Sequence, residues 1–137
     1  MAYIGKKLQK WAIQSLELGF DCFDEGDHAP FVLVADGAGQ ERLINLENFS
    51  GSVDDNLVDR GREIIQAVDD GHLYGLVWDG WLTVGGVKQD AVFVEVGARG
   101  VARAFIFAQA YKQKKRSKRL EKLGAPVVVA NAAHLWD

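Results

Sequence analysis

One carboxylate stands where a carboxylate is costly. Glu95 lies in the run AVFVEV, residues 91–96, whose other members are all apolar. An acid inside such a strand must either meet a cation or sit in a pocket that raises its pKa. Arg99, or a lysine carried on a helix, would supply the first arrangement, which is the commoner origin of such a group. Asp90 or His72 would supply the second, as the titratable neighbour of an acid–base pair. The Asp90 and Glu95 pair resembles the acidic pairs of some nucleases. Those carry a lysine two residues after the glutamate, where this chain has Gly97, so the group that would stabilise the developing charge is missing.

The other chemistry-bearing residues are scattered. Asp21, Asp24, Glu25 and Asp27 cluster near His28 without the alternating oxygen ligands, fixed glycine and distal glutamate of a calcium loop. His28, His72 and His134 form no close ligand pair, and Cys22 with His28 is not a zinc pattern, so no metal and no cofactor is expected. Gly97-Ala98-Arg99-Gly100 joins two apolar runs and reads as a hairpin turn. No phosphate-binding glycine loop follows a strand and opens a helix, and neither Ser50 nor Ser52 lies in a nucleophile elbow.

A different signal is electrostatic. Seven of the sixteen Lys and Arg residues fall between 112 and 122: Lys112, Lys114, Lys115, Arg116, Lys118, Arg119 and Lys122. With Glu121 they give +6, and since the whole chain is −3 the remainder carries −9. Such asymmetry marks either a solvated connection that pairs with acidic loops of the same domain or a surface for an anionic partner. Single-stranded nucleic acid would call for interleaved aromatics, and only Tyr111 adjoins the run. Trp78 and Trp81 flank Asp79-Gly80. They read first as cross-strand packing and second as an exposed binding ledge.

These residues must be positioned by a single domain, residues 1–137, whose size buries a core without metal or disulfide. Hydrophobic residues make up 48% and charged residues 26%, which separates the chain from disordered and membrane-spanning classes. The lone cysteine, the lack of a secretory h-region and the absence of an 18-residue apolar run predict a cytoplasmic protein with no membrane segment.

The spacing of Ile4, Leu8, Trp11, Ala12, Ser15 and Leu16 predicts a helix over 4–18, ended by Gly19. FVLVA (31–35), a turn at 36–39 and QERLINL (40–46) form a hairpin. A second helix begins at Ser52 as N-cap, with Asp54 and Asp55 in its first turn, and presents Val53, Leu57, Gly61, Ile64, Ile65 and Val68. Strands follow over 73–78, 81–84, 91–96 and 101–111, turning at Asp79-Gly80, Gly85-Gly86 and 97–100. A short helix over 118–123, capped by Ser117, precedes an edge strand in VVVA and a last turn capped by Asn131.

The expected fold is therefore α+β: one antiparallel sheet in the order α-β-β-α-β-β-β-β-α-β, with the two long helices packed on one face. Setting Val96 opposite Val101 puts Ala91, Phe93, Glu95, Ala104, Ile106, Ala108 and Ala110 on one face. Val92, Val94, Val96, Phe105, Phe107, Gln109 and Tyr111 fall on the other. Both faces are apolar, and a sheet apolar on both sides must be covered on both. Self-association through the face carrying Phe105, Phe107 and Tyr111 is the expected cover for what the helices leave bare.

Three functions follow in order. The first is a non-enzymatic protein-binding module of regulatory, inhibitor or immunity type, binding another protein or itself as a homo-oligomer. The second is a small enzyme with Glu95 as pocket acid. The third is a nucleic-acid binder through 112–122.

Overall fold

A computed structural model describes residues 5–24, 29–46, 56–101, 103–113 and 119–136. The chain is an α+β protein with two helices packed on a seven-strand antiparallel open sheet. Its elements are α1 (Lys6–Asp24), β1 (Phe31–Asp36), β2 (Glu41–Asn45), α2 (Asn56–Gln66), β3 (Gly71–Val84), β4 (Val87–Ala98), β5 (Arg103–Gln113), β6 (Leu120–Lys122) and β7 (Val127–Ala133). Strands β2, β1, β3, β4 and β5 lie side by side in that order. β6 and β7 both pair with β5 beyond, β7 along its first half and β6 at its end.

α1 follows from its stripe. Leu8, Trp11, Ala12, Ser15, Leu16, Gly19, Phe20 and Phe23 recur at helical spacing and are all buried. Gly19 does not end the helix as expected. A Cβ there would come within 2.8 Å of Val77 Cγ1 and 3.2 Å of Val92 Cγ1, so this glycine lets α1 lie close on β3 and β4. The Trp11 indole N–H donates to the Tyr74 carbonyl at 2.8 Å and pins the crossing.

The helices lie on opposite faces of the sheet, not on one. Phe31, Leu33, Val77, Val94, Val96, Phe105 and Phe107 share a core with α1. Val32, Val34, Tyr74, Leu76 and Ala104 share another with Ile65 and Trp136, against which Leu57, Val58 and Ile64 of α2 pack, with Val68 just past its end. Alternation along β1 is the cause: odd-numbered residues face α1 and Val32 and Val34 face α2. The expected N-cap at Ser52 lies outside the described residues.

Three local expectations change. β3 runs unbroken through Asp79-Gly80 and turns only at Gly85-Gly86, whose φ values of 57° and 80° suit a two-residue hairpin turn. The expected short helix over 118–123 is instead β6, paired with Tyr111–Gln113, and Asn131 lies within β7 rather than capping a turn. In the β4–β5 hairpin Val96 faces Phe105 rather than Val101. That offset of four is even, so every assignment of residues to faces holds.

Gly97 opposes Tyr74, and a Cβ on it would fall 2.3 to 2.7 Å from the buried Tyr74 ring. Gly97→Ala is expected to cost about 1–2 kcal/mol, by forcing that ring from its seat, in a urea unfolding experiment.

Candidate functional site

Glu95 sits between Leu76 of β3 and Ile106 of β5 on the face that α2 covers. It is 1% exposed. Arg62, from the middle of α2, closes over it: Nε and Nη2 both donate to Glu95 Oε1 at 3.0 Å. The same guanidinium donates through Nη1 to Asp59 Oδ1 at 3.0 Å, one helical turn earlier. Burial pushes the Glu95 carboxyl above its ordinary range, and the Arg62 charge and hydrogen bonds pull it partly back. The partner is thus a helix-borne cation, arginine rather than lysine. Arg99 is engaged elsewhere, donating from Nε to the Gly71 carbonyl at 2.6 Å.

The expected acid–base neighbours do not converge on Glu95. Asp90 is five residues away along β4 and so lies on the opposite face. His72 lies beside α1, with Nε2 3.4 Å from Lys7 Nζ. The described arrangement is a closed ion pair rather than an acid opening into a pocket.

Among the described residues, two hollows lie away from Glu95. One, of about 500 Å³, is lined by Asp36, Gln40, Glu41, Arg42 and Asp70. Its polar groups serve the fold: Asp36 Oδ1 accepts from the Ala38 and Gln40 amides, Arg42 bridges Asp70 at 3.0 Å, and Gln14 donates to Glu41 at 3.1 Å. The other, of about 230 Å³, lies between Leu16 and Phe20 of α1 and a wall of Gln109, Lys122 and Pro126. Gln109 Nε2 donates to the Leu123 and Gly124 carbonyls and fixes the bend between β6 and β7. Among the described residues no group of three or more His, Cys, Asp or Glu side chains could hold a metal ion.

The expected self-association face is occupied from within. Phe105, Phe107 and Tyr111 are 3, 7 and 5% exposed and belong to the core beneath α1. Placing both helices on one face had left this side open, and opposite placement closes it. Tyr111 packs edge-on against Phe20, with ring centroids 5.9 Å apart, and donates its hydroxyl to Asp79 Oδ1 at 2.7 Å. Burial and that acceptor both push the Tyr111 hydroxyl pKa up, so it stays protonated.

Of the basic segment, Lys112, Arg119 and Lys122 are described. Lys112 lies 3.8 Å from Glu121, and Lys122 stands 5.2 Å over the Phe20 ring. Lys114, Lys115, Arg116 and Lys118 lie outside the described residues. The segment joins two paired strands, β5 and β6, rather than a strand and a helix.

The most exposed apolar group is one the sequence reading split in two. β3 last pairs β1 at Val77, and β4 last pairs β5 at Ala91. Beyond those points the two strands continue, alone among the described residues, as a hairpin ribbon in register from Gly80 opposite Ala91 to Val84 opposite Val87. Trp81, Val84 and Val87 are 66, 53 and 66% exposed. Lys88 Nζ lies 3.7 Å over the Trp81 ring, and at the base Trp78 and Phe93 stack at 5.5 Å with planes 6° apart. The adjacent glycines at 85 and 86, flanked by Val84 and Val87, were the signal. Asp79-Gly80 offered a rival turn and drew the boundary away.

No family model matches this chain, and comparison with curated proteins and with solved structures finds no match. No helix of the described residues is long and apolar enough to cross a membrane.

Proposed function

We propose that this protein is a non-enzymatic module that recognises another protein, and that the β3–β4 ribbon is its recognition element. One observation carries the reading: Trp81, Val84 and Val87 are held in water on a strand pair that projects past its neighbours. A surface of this kind gains free energy only when a partner covers it. Tryptophan is also among the residues that anchor interfaces. The ribbon is braced for the task, because Tyr111 holds Asp79 at its root and Lys88 orders the Trp81 ring.

The pairing of Glu95 with Arg62 supports a structural acid over a site acid. The lone Cys22, which packs against the α1 core, supports a reducing, cytoplasmic setting.

The test compares native complexes isolated from the source cell with wild type and with Val84→Asp/Val87→Asp. Both positions are exposed, so thermal unfolding is expected to stay within about 0.5 kcal/mol of wild type. A partner held by the wild type and lost by the double variant is the expected result. A partner held equally by both removes the ribbon from recognition.

A further inference from the structure

The segment after β7 is held by a histidine whose two ring nitrogens have opposite roles. His134 Nδ1 accepts the Trp136 backbone N–H at 2.9 Å, and Nε2 meets the Ala98 carbonyl at 2.6 Å. A carbonyl only accepts, so Nε2 carries a hydrogen. An amide N–H only donates, so Nδ1 must offer its lone pair. One species alone makes both bonds together: the neutral ring with its hydrogen on Nε2.

We infer that this arrangement is a proton-operated latch, in which uptake of a proton at His134 Nδ1 releases the Trp136 backbone and loosens the core beneath α2. The added hydrogen takes the lone pair that the amide uses, and two donors then face each other. The bond to Ala98 survives and strengthens, because a charged ring is the better donor. The imidazole therefore stays on β4 while the chain at 136 is pushed away. That chain carries the indole that reaches the Ile65 carbonyl at 2.7 Å and packs on Tyr74 at 5.1 Å, so the opening is felt at the end of α2.

The surroundings do not favour a charged ring. Tyr74 of β3 stands edge-on to it at 5.8 Å, and the Trp136 ring lies 6.2 Å away. Arg99, just past β4, already holds its guanidinium 4.5 Å from the Trp136 ring, so a proton on His134 brings a second cation to one aromatic group. On β5, Arg103 lies opposite Ala133, the residue before His134. On α2, Arg62 is bound to Glu95 and Asp59, and Arg60 to Glu63. Among the described residues no carboxylate pairs with His134, and Asp137 lies outside them. Histidine changes charge between about pH 5 and 8, so the latch is made in neutral solution and lost as the pH falls.

The latch is independent of the ribbon and its partner. Nitrogen NMR of the wild-type chain at about pH 8 reads the tautomer, and hydrogen on Nε2 is expected. Hydrogen exchange, corrected for the intrinsic rate, then compares about pH 8 with about pH 5.5. The probes are the Trp136 indole N–H and the Ala67 and Val68 amides at the end of α2. Their protection is expected to fall roughly fivefold or more in acid, the worth of about one hydrogen bond. His134→Asn keeps an oxygen able to accept from the amide two residues on and has no ring to protonate. Its protection is expected to change by less than about twofold over the same range, with His72 and Glu95 still in place. A wild type with hydrogen on Nδ1 overturns the inference. So does protection that is alike at both pH values, and both of these measurements need no variant. An acid loss that His134→Asn retains overturns it as well, since another group would then be the cause.

Discussion

Arg62→Met is expected to destabilise the protein by about 3 kcal/mol at neutral pH, and by much less in acid. The substitution keeps the aliphatic stem over the sheet and removes only the charge. Glu95, 1% exposed, then has no cation within reach on α2. Arg62 is itself about one-third exposed, at 34%, so water already screens part of the pair and the upper end of the usual range is not reached.

The pH dependence has a definite sign. Burial raises the Glu95 pKa above 4.5 even with Arg62 present, so the folded chain holds that proton more firmly than the unfolded chain does. The resulting stability is fully present below the unfolded value and is lost as pH rises through the folded one. Without Arg62 the folded value climbs further, and the loss extends to higher pH. The deficit of Arg62→Met relative to wild type therefore grows between about pH 4 and about pH 8. Urea unfolding at both pH values measures it, and an equal deficit at both would show that Arg62 does not act through the Glu95 charge. Arg62→Met/Glu95→Leu removes the charge and its partner together and is expected to return to within about 1 kcal/mol of wild type.

The second large effect is expected from Trp136→Ala, at about 4 kcal/mol. The Trp136 ring is 7% exposed and meets Tyr74 edge-on at 5.1 Å. Its other face carries the Arg99 guanidinium at 4.5 Å. It lies against Gly71 so closely that a Cβ there would come within 2.5 Å of its ring. Its indole N–H donates to the Ile65 carbonyl at 2.7 Å, beside the Val68 amide that donates to the same oxygen at 3.0 Å, and so ties the end of α2 to the ring. Its backbone N–H donates to His134 Nδ1 at 2.9 Å, while His134 Nε2 reaches the Ala98 carbonyl at 2.6 Å.

Alanine leaves a cavity and removes one of the two hydrogen bonds that the Ile65 carbonyl accepts. Trp136→Phe keeps most of the packing and loses the hydrogen bond, with an expected cost nearer 1–2 kcal/mol. Hydrogen exchange should place the loss in α2 first, because that helix rests on Trp136 at its C-terminal end. A Trp136→Ala variant within about 1 kcal/mol of wild type would show that this ring fills no essential space.

Much of this was legible in the sequence where one physical rule dominates. The α1 stripe is regular, and strand alternation put Glu95 and Ala104 on one face and Phe105, Phe107 and Tyr111 on the other, even with the wrong partner opposite Val96. What failed were places where a local signal met a stronger long-range one. Gly19 looks like a helix stop, yet close packing on Val77 and Val92 carries the helix through to Asp24. Asp79-Gly80 is a good turn pair, but its residues gain a cross-strand partner by continuing to Gly85-Gly86. Leu120, Glu121 and Lys122 suit a short helix, yet pairing with β5 buries Leu120 and lets Asp24 accept its amide at 2.6 Å.

The face chosen by each helix was not legible, because both faces are apolar and no sequence period says over which one a crossover passes. That choice decides the rest. It buries the proposed self-association face, turns Glu95 toward Arg62, and leaves the ribbon and the β7 edge among the exposed apolar features.

The interleaving of early and late segments also governs how the molecule can be made. α1, the first described element, completes its packing only against β4, β5 and β6, and α2 is closed at its end by Trp136. A nascent chain emerging from the ribosome therefore carries an amphipathic helix whose sheet stays incomplete until residues past 90 have appeared. The second core stays ajar until position 136 is free. Compaction has to wait on partners far away in sequence, which places this protein among slower folders whose unfinished chains benefit from chaperone cover.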